Sequence, residues 1–306
     1  MSTSDQTAGL AGVDGSDHGL VRGTSLWRDA WKRLRKNHMA VASIVVVSSL
    51  ALACIVGPPL LKISFNYDYE AQDLDYGAQP PSLAHWFGTD FHGRDLFTRS
   101  LYGGRVSLTV GVLAALVSAT VGTLYGAASG FLGGRIDALM MRIVDVLYSL
   151  PYMFLVIILV TIFGKNLLLV FLVLGLVGWL MTARIVRGQV LSIKEREFVR
   201  AARSVGVSGP MIVLRHLIPN TLGPILVYFT LTIPAMILQE AFLSFLGLGV
   251  QAPRPSLGAL ITEGANHMVV FWWELVFPGA VMAVLLFSLN FVGDGMRDAL
   301  DPQMKS

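Results

Sequence analysis

The sequence predicts an all-α, polytopic membrane protein with six transmembrane helices and both termini in the cytoplasm. Three observations carry this. Of its 306 residues, 54% are hydrophobic and only 14% charged, with a mean hydropathy of +0.63; a soluble domain carries about 25% charged residues. Apolar runs near or above the ~18 residues that mark a bilayer span recur six times. The Lys and Arg residues fall mainly between alternate runs. The runs are continuous and lack the every-second-residue alternation of a transmembrane barrel.

In chain order, a tail and lead-in occupy 1–38 and a first transmembrane helix 39–61. A large external loop follows at 62–104, then a core at 105–293 and a closing tail at 294–306. The core spans are expected at about 107–131, 139–163, 167–183, 222–246 and 269–292. Most of these runs exceed the ~20 residues that cross a ~30 Å hydrocarbon layer at about 1.5 Å per residue. The fourth is the shortest, and the sixth carries Glu274 and Pro278. Met1 to Gly23, rich in Ser, Gly, Asp and Thr, reads as a disordered tail, and no signal-peptide apolar region is expected in 1–38. WRDAWKRLRK, from Trp27 to Lys36, reads as an amphipathic helix resting on an anionic leaflet. The single cysteine, Cys54, lies in the first span, so no intrachain disulfide is available.

Orientation follows from basic residues. Arg22, Arg28, Lys32, Arg33, Arg35, Lys36, Arg135, Arg142, Arg184, Arg187, Lys194, Arg196, Arg200, Arg203, Arg215, Arg297 and Lys305 fall on one side. Only Lys62, Arg94, Arg99, Arg105, Lys165 and Arg254 fall on the other. The rich side is assigned to the cytoplasm. This bias accounts for the net charge of +3 without nucleic acid.

Between the fourth and fifth spans stands a charged island, KEREFVRAARSVGVSGPMIVLR, at 194–215. Phe198, Ala201, Ala202 and Val205 follow i, i+3, i+4, i+7 spacing and define one helical face, with Arg196, Arg200 and Arg203 opposite. Gly206 reads as a helix stop, Ser208-Gly209-Pro210 as a restart, and Pro219 with Pro224 as the start of the next span. The spacing predicts helix, turn, helix at the cytoplasmic face. By amphipathicity alone it fits a helix on lipid headgroups equally well.

Arg200-Ala201-Ala202, three residues, Gly206, nine residues, then His216-Leu217-Ile218-Pro219 resembles the EAA loop of ATP-binding-cassette importer permeases. Arg200 stands where that family has Glu, His216 where it has Ile and Ile218 where it has Leu; Glu197, one turn earlier, is a candidate substitute carboxylate. HWFGTD at 85–90, GRDL at 93–96, YGGRVSL at 102–108, LSFLGLGVQ at 243–251 and GDGMRDALDP at 293–302 also resemble segments of peptide-importer permeases. The similarity runs from about Ser25 to Pro302 and is nearest to the C-type subunit of oligopeptide importers.

The resemblance implies a type I importer permease fold, with the loop at 190–219 as a cytoplasmic coupling element. It implies ATPase coupling through Glu197, Arg200, Ala201, Ala202, Gly206 and Pro219. The implied partners are a paralogous permease subunit, two ATPases that hold ATP and Mg, a periplasmic peptide-binding protein, a peptide and the lipid bilayer. No cofactor, metal, catalytic residue or nucleic acid is expected on this chain, which carries no GxxxxGK[ST] motif. The implied location is the bacterial inner membrane. Dipeptide, nickel-chelate and murein-peptide permeases stay open within the family. A secondary transporter is the rival class, and it calls for paired ionisable residues near mid-membrane.

Other residues bear on the path. The loop 62–104, with Tyr67, Asp68, Tyr69, Glu70, Asp73, Asp75 and Tyr76, reads as a docking surface, a lid or a solvated connector. His85, Asp90, His92 and Asp95 match no strong metal spacing. Glu240 is expected near the outer end of the fifth span, lining the peptide path or snorkelling to the interface. Pro151 and Pro234 are expected to kink their helices near a pore or gate. Arg142 is expected to pair with Asp145 within the third span, and Gly122, Gly126 and Gly130 to form a close-packing stripe.

Overall fold

The computed structural model describes residues 26–164 and 166–300. The expected disordered tail, Lys165, and Asp301, Pro302 and Lys305 lie outside the described residues. The chain enters through α1 (Leu26–Lys36). Its Ala30 and Leu34 pack with Ala40 and Ala299, so the lead-in helix docks on protein as well as presenting a basic face. Asn37 caps α2 (His38–Phe65), its side-chain oxygen accepting from the Ala40 amide at 3.1 Å.

Next come α3 (Leu96–Leu132), α4 (Gly134–Ser149), α5 (Tyr152–Phe163) and α6 (Leu167–Ile193). Two short helices follow, α7 (Glu197–Ser204) and α8 (Gly209–Ile212), then a π turn (Val213–Leu217) leading into α9 (Ile218–Phe245). A short helix, α10 (Leu257–His267), precedes α11 (Trp272–Leu300). Among the described residues five helices are long and apolar enough to cross a membrane, or six if α4 and α5 count as one span.

The expected third span, 139–163, is therefore broken, with α4 and α5 meeting at 85°. Pro151 causes the break. It has no N–H to continue the ladder, and its ring drives Leu150 into an extended conformation (φ −77, ψ 139). Pro234 lies inside the continuous α9 and breaks nothing. Boundaries also move. α3 begins eleven residues before Ser107, so the external connector shortens to 66–95, and α6 runs ten residues past Ala183, placing Arg184 and Arg187 on the helix. α10 was not expected.

The bundle centres on α3, which packs along both α6 and α9. A Cβ on Gly126 would stand 2.3 Å from the Ala183 carbonyl oxygen, and one on Gly122 2.5 Å from Thr182 Cβ. The glycine stripe thus sets the α3–α6 separation, as small residues do where lipid supplies no hydrophobic drive between helices. One apolar core joins Val110, Ala114, Val160, Leu174 and Met236, and a second, Val186, Val190, Val199, Ile212 and Leu217, lies beneath α7 and α8.

Candidate functional site

The island forms the helix pair that its spacing predicts, and backbone chemistry explains its shape. α7 ends in a Schellman arrangement. The Gly206 amide donates to the Arg203 carbonyl at 3.0 Å, and the Val207 amide to the Ala202 carbonyl at 3.1 Å. This closure needs a left-handed residue, and Gly206 has φ +85. A Cβ there would meet nothing within 4 Å, so the requirement is conformational and steric bulk is irrelevant. Val207 and Ala202 both pack on the core beneath, supplying the apolar contact that accompanies such caps.

Lys194 anchors the start of the pair by donating to the Gly130 carbonyl at 3.0 Å. The Arg203 guanidinium lies 5.4 Å from the Phe131 ring centroid. At the far end the Ile218 amide reaches back to the Val213 carbonyl. Pro219, which offers no N–H, starts α9 just after this π turn.

The face expected to act as a unit is divided. Ala202 turns inward with the fully buried Val199, whereas Phe198, Ala201 and Val205 are exposed, Val205 at 84%. Met211 and Leu214 extend this exposed apolar surface. Arg200 lies 3.9 Å from Glu195, with both side chains more than half exposed, a pair worth little in water. Glu197 is exposed in the first turn of α7.

Two ion pairs brace α4 against α6 nearby. Asp137 accepts from Arg187 Nε at 2.6 Å and Nη2 at 2.7 Å, and from the Ser129 hydroxyl at 2.6 Å. Asp145 pairs with Arg184 at 2.8 Å, so the expected Arg142–Asp145 pair gives way to a link between helices. Arg184 and Arg187 lie just past the expected end of the fourth span at Ala183, so hydropathy alone does not place them on the helix.

Glu240 does not line a path. It has no exposed surface. Ser107 donates to its Oε2 at 3.1 Å and Ser244 to its Oε1 at 2.8 Å. Ser107 in turn accepts from the Leu257 amide at the start of α10, so Glu240 ties α3, α9 and α10 together. Pro234 is buried as well. Of the three residues expected at a pore or gate, Pro151 alone lines the cavity of about 670 Å³ at the α4–α5 break.

The external connector anchors α3. Asp95 caps the helix by accepting from the Thr98 amide (2.7 Å), and its other oxygen accepts from His85 Nδ1 at 2.9 Å. Asp90 binds Arg94 Nε at 2.7 Å and also Arg99, and both guanidiniums reach Glu263 on α10. Burial opposes ionisation of Asp90, but Arg99 and Arg94 prevail and hold its carboxyl below the ordinary range. Trp273 Nε1 donates to the Thr89 carbonyl at 3.0 Å, fastening the connector to α11. His85, Asp90 and Asp95 are thus spent on an ion and hydrogen-bond lattice.

A polytopic bundle of five or six membrane-length helices, with an exposed, capped helix pair between α6 and α9, defines an integral membrane protein. The chain belongs to the family described as binding-protein-dependent transport system inner membrane component, whose model matches residues 95–306. A second model, the N-terminal TM domain of oligopeptide transport permease C, matches residues 25–81. The chain is 53% identical over 283 residues to the oligopeptide transport system permease protein OppC of Escherichia coli strain K12, covering 92% of this chain and 93% of that one. It is 48% identical to the protein of the same name from Haemophilus influenzae, covering 92% and 90%. It is 45% identical to the dipeptide transport system permease protein DppC of Bacillus subtilis, covering 92% and 87%. A solved structure of the inward-facing MetNI methionine ABC transporter aligns with a TM-score of 0.54 at 17% identity, covering 67% of this chain and 96% of that one. The fold is that of a type I ATP-binding-cassette importer permease.

Proposed function

We propose that this chain is the permease subunit of an ATP-driven, binding-protein-dependent oligopeptide importer in the bacterial inner membrane. It forms half of the translocation pore with a paralogous permease subunit. Two cytoplasmic ATPases, which hold ATP and Mg, engage α7 and α8, and a periplasmic binding protein delivers peptide to the opposite face. Both termini lie in the cytoplasm, as the bias of basic residues supports. ATP-driven closure of the ATPases moves the helix pair, and the pore alternates between outward and inward access.

The observation that carries this reading is the exposed surface of Phe198, Ala201, Val205, Met211 and Leu214 on a helix pair fixed by its cap and by Lys194. Apolar side chains held out on a rigid mount suit a partner's groove. Glu197 and Arg200, both exposed, supply the polar rim of that contact. Ala202 and Pro219 act indirectly, by seating α7 on the core and fixing where α9 begins.

Purification of the complex and reconstitution with binding protein, peptide and ATP tests the reading. It predicts peptide uptake that requires ATP and stops without the ATPases. Uptake by this chain alone on a proton gradient overturns it in favour of a secondary transporter.

A further inference from the structure

The α4–α5 break opens the 670 Å³ cavity between residues 147–152, α6 and α9. Val177 and Met181 in its wall stand near the middle of α6, and Tyr228, Thr232 and Gln239 flank the middle of α9. The break therefore sits at mid-span depth. Among the described residues no donor reaches the main-chain carbonyls of Tyr148, Ser149 and Leu150; the Leu150 amide itself turns back to Leu147 at 3.3 Å. Unpaired backbone at this depth is tolerated only where it lines water or is covered by protein. Lipid is not its occupant.

The opposite wall supplies donors. The Tyr152 hydroxyl donates to Gln239 Oε1 at 2.6 Å and lies 3.2 Å from the Leu174 carbonyl oxygen. That contact fixes the amide plane, and the Gln239 amide nitrogen has no partner among the described residues. The remaining wall is mostly apolar, with the hydroxyl-bearing side chains of Tyr148, Ser149, Tyr228 and Thr232 among it, and carries no Lys, Arg, Asp or Glu. A ligand matching it offers regularly spaced N–H and C=O groups and tolerates apolar surroundings without asking for a fixed charge. A peptide main chain has that chemistry, whatever its side chains, and the volume lies within the ~300–1,000 Å³ of ligand sites.

We infer that this cavity is the half-site on this subunit for the main chain of a peptide in transit. Gln239, oriented by Tyr152, donates to the peptide, and the carbonyls of residues 148–150 accept from it. The assignment rests on the importer reading and adds to it where the substrate is held.

Cys54, the only cysteine, is buried in α2, so introduced thiols can be followed singly. Ser149→Cys and Ala235→Cys place thiols in the cavity, and Leu238→Cys places one on the exposed surface of α9 outside it. The complete transporter in proteoliposomes is treated with a charged methanethiosulfonate, and labelling is read on this chain. Both cavity thiols are expected to react, and any labelling of Leu238→Cys, outside the cavity, to be unchanged by peptide. Binding protein loaded with a transported peptide, near 90% site occupancy, should slow cavity labelling by about ten-fold by mass action. The same peptide with N-methylated amides should protect several-fold less. Gln239→Leu should weaken protection by roughly three- to ten-fold, the loss of one hydrogen bond. Cavity thiols that stay unlabelled, that label without protection, or that are protected equally by the N-methylated peptide overturn the site while transport continues. Failure of the parent complex to import peptide overturns the importer reading itself.

Discussion

Replacing Gly206 by valine perturbs one dihedral pair and almost nothing else. The residue sits at φ +85, where a β-branched side chain is strained, and an added Cβ meets no atom within 4 Å. Holding a non-glycine residue there costs about 1–3 kcal/mol. If α7 keeps its cap, that cost appears as lost stability of the helix pair; if the cap opens, Val207 leaves Ala202 and the exposed face turns away from its partner. Where ATPase binding requires the capped form, affinity falls by about 5- to 150-fold, at ten-fold per 1.4 kcal/mol. The assay is peptide-stimulated ATP hydrolysis in proteoliposomes, with ATPase co-purification and membrane abundance measured on the same preparations. Gly206→Val should retain abundance and lose both coupling readouts. Gly206→Asn, which tolerates the left-handed region, should retain most of each. Normal coupling in the valine variant refutes the conformational argument, and equal loss in the asparagine variant refutes backbone strain as its cause.

Three further outcomes follow from the packing and charge geometry. Gly126→Leu drives a side chain into the Ala183 backbone and should cost at least about 1–3 kcal/mol of thermal stability, whereas Gly188→Ala, with nothing within 4 Å of its Cβ, should be tolerated. A double-mutant cycle on Asp137 and Arg187 should give a coupling of about 1 kcal/mol, limited by the partial exposure of Arg187; no coupling would mean that this ion pair does not hold α4 on α6. Because the Asp90 carboxyl titrates below its ordinary value of 3.8, its contribution is fully present above that value and fades as pH falls through the depressed one. Asp90→Asn should therefore lower the melting temperature at neutral pH, and the gap from the parent should close only under strongly acidic conditions; a gap constant across pH would remove the ion pairs as its source.

The apolar runs were legible because a bilayer leaves the backbone no partner but itself, so any long uncharged stretch must be helical. Helix ends were not, for a related reason. Arg99 reads as a loop residue and Arg184 and Arg187 fall past the apolar run that ends at Ala183, yet each sits on a helix and is neutralised by an acid outside that helix, Asp90, Asp145 or Asp137. Proline told of strain without saying how it resolves. Pro151 breaks its helix at an open cavity, while Pro234 stays in α9, buried in the bundle. Glu240 was read from its place along one helix, and its serine partner on another, Ser107, stands 133 positions away. On α7 the helical period allowed two overlapping stripes. Burial of Val199 decides between them, and no local signal separates it from Phe198.

The proposed seat of the ATPase is the exposed face of α7. Photo-crosslinkers placed at Val205 and, as a buried control, at Val199 test it in the intact complex. A crosslink to the ATPase is expected from Val205, changing in yield with ATP, and none from Val199. Crosslinks from Val205 to lipid alone, with ATPase activity intact, would contradict it.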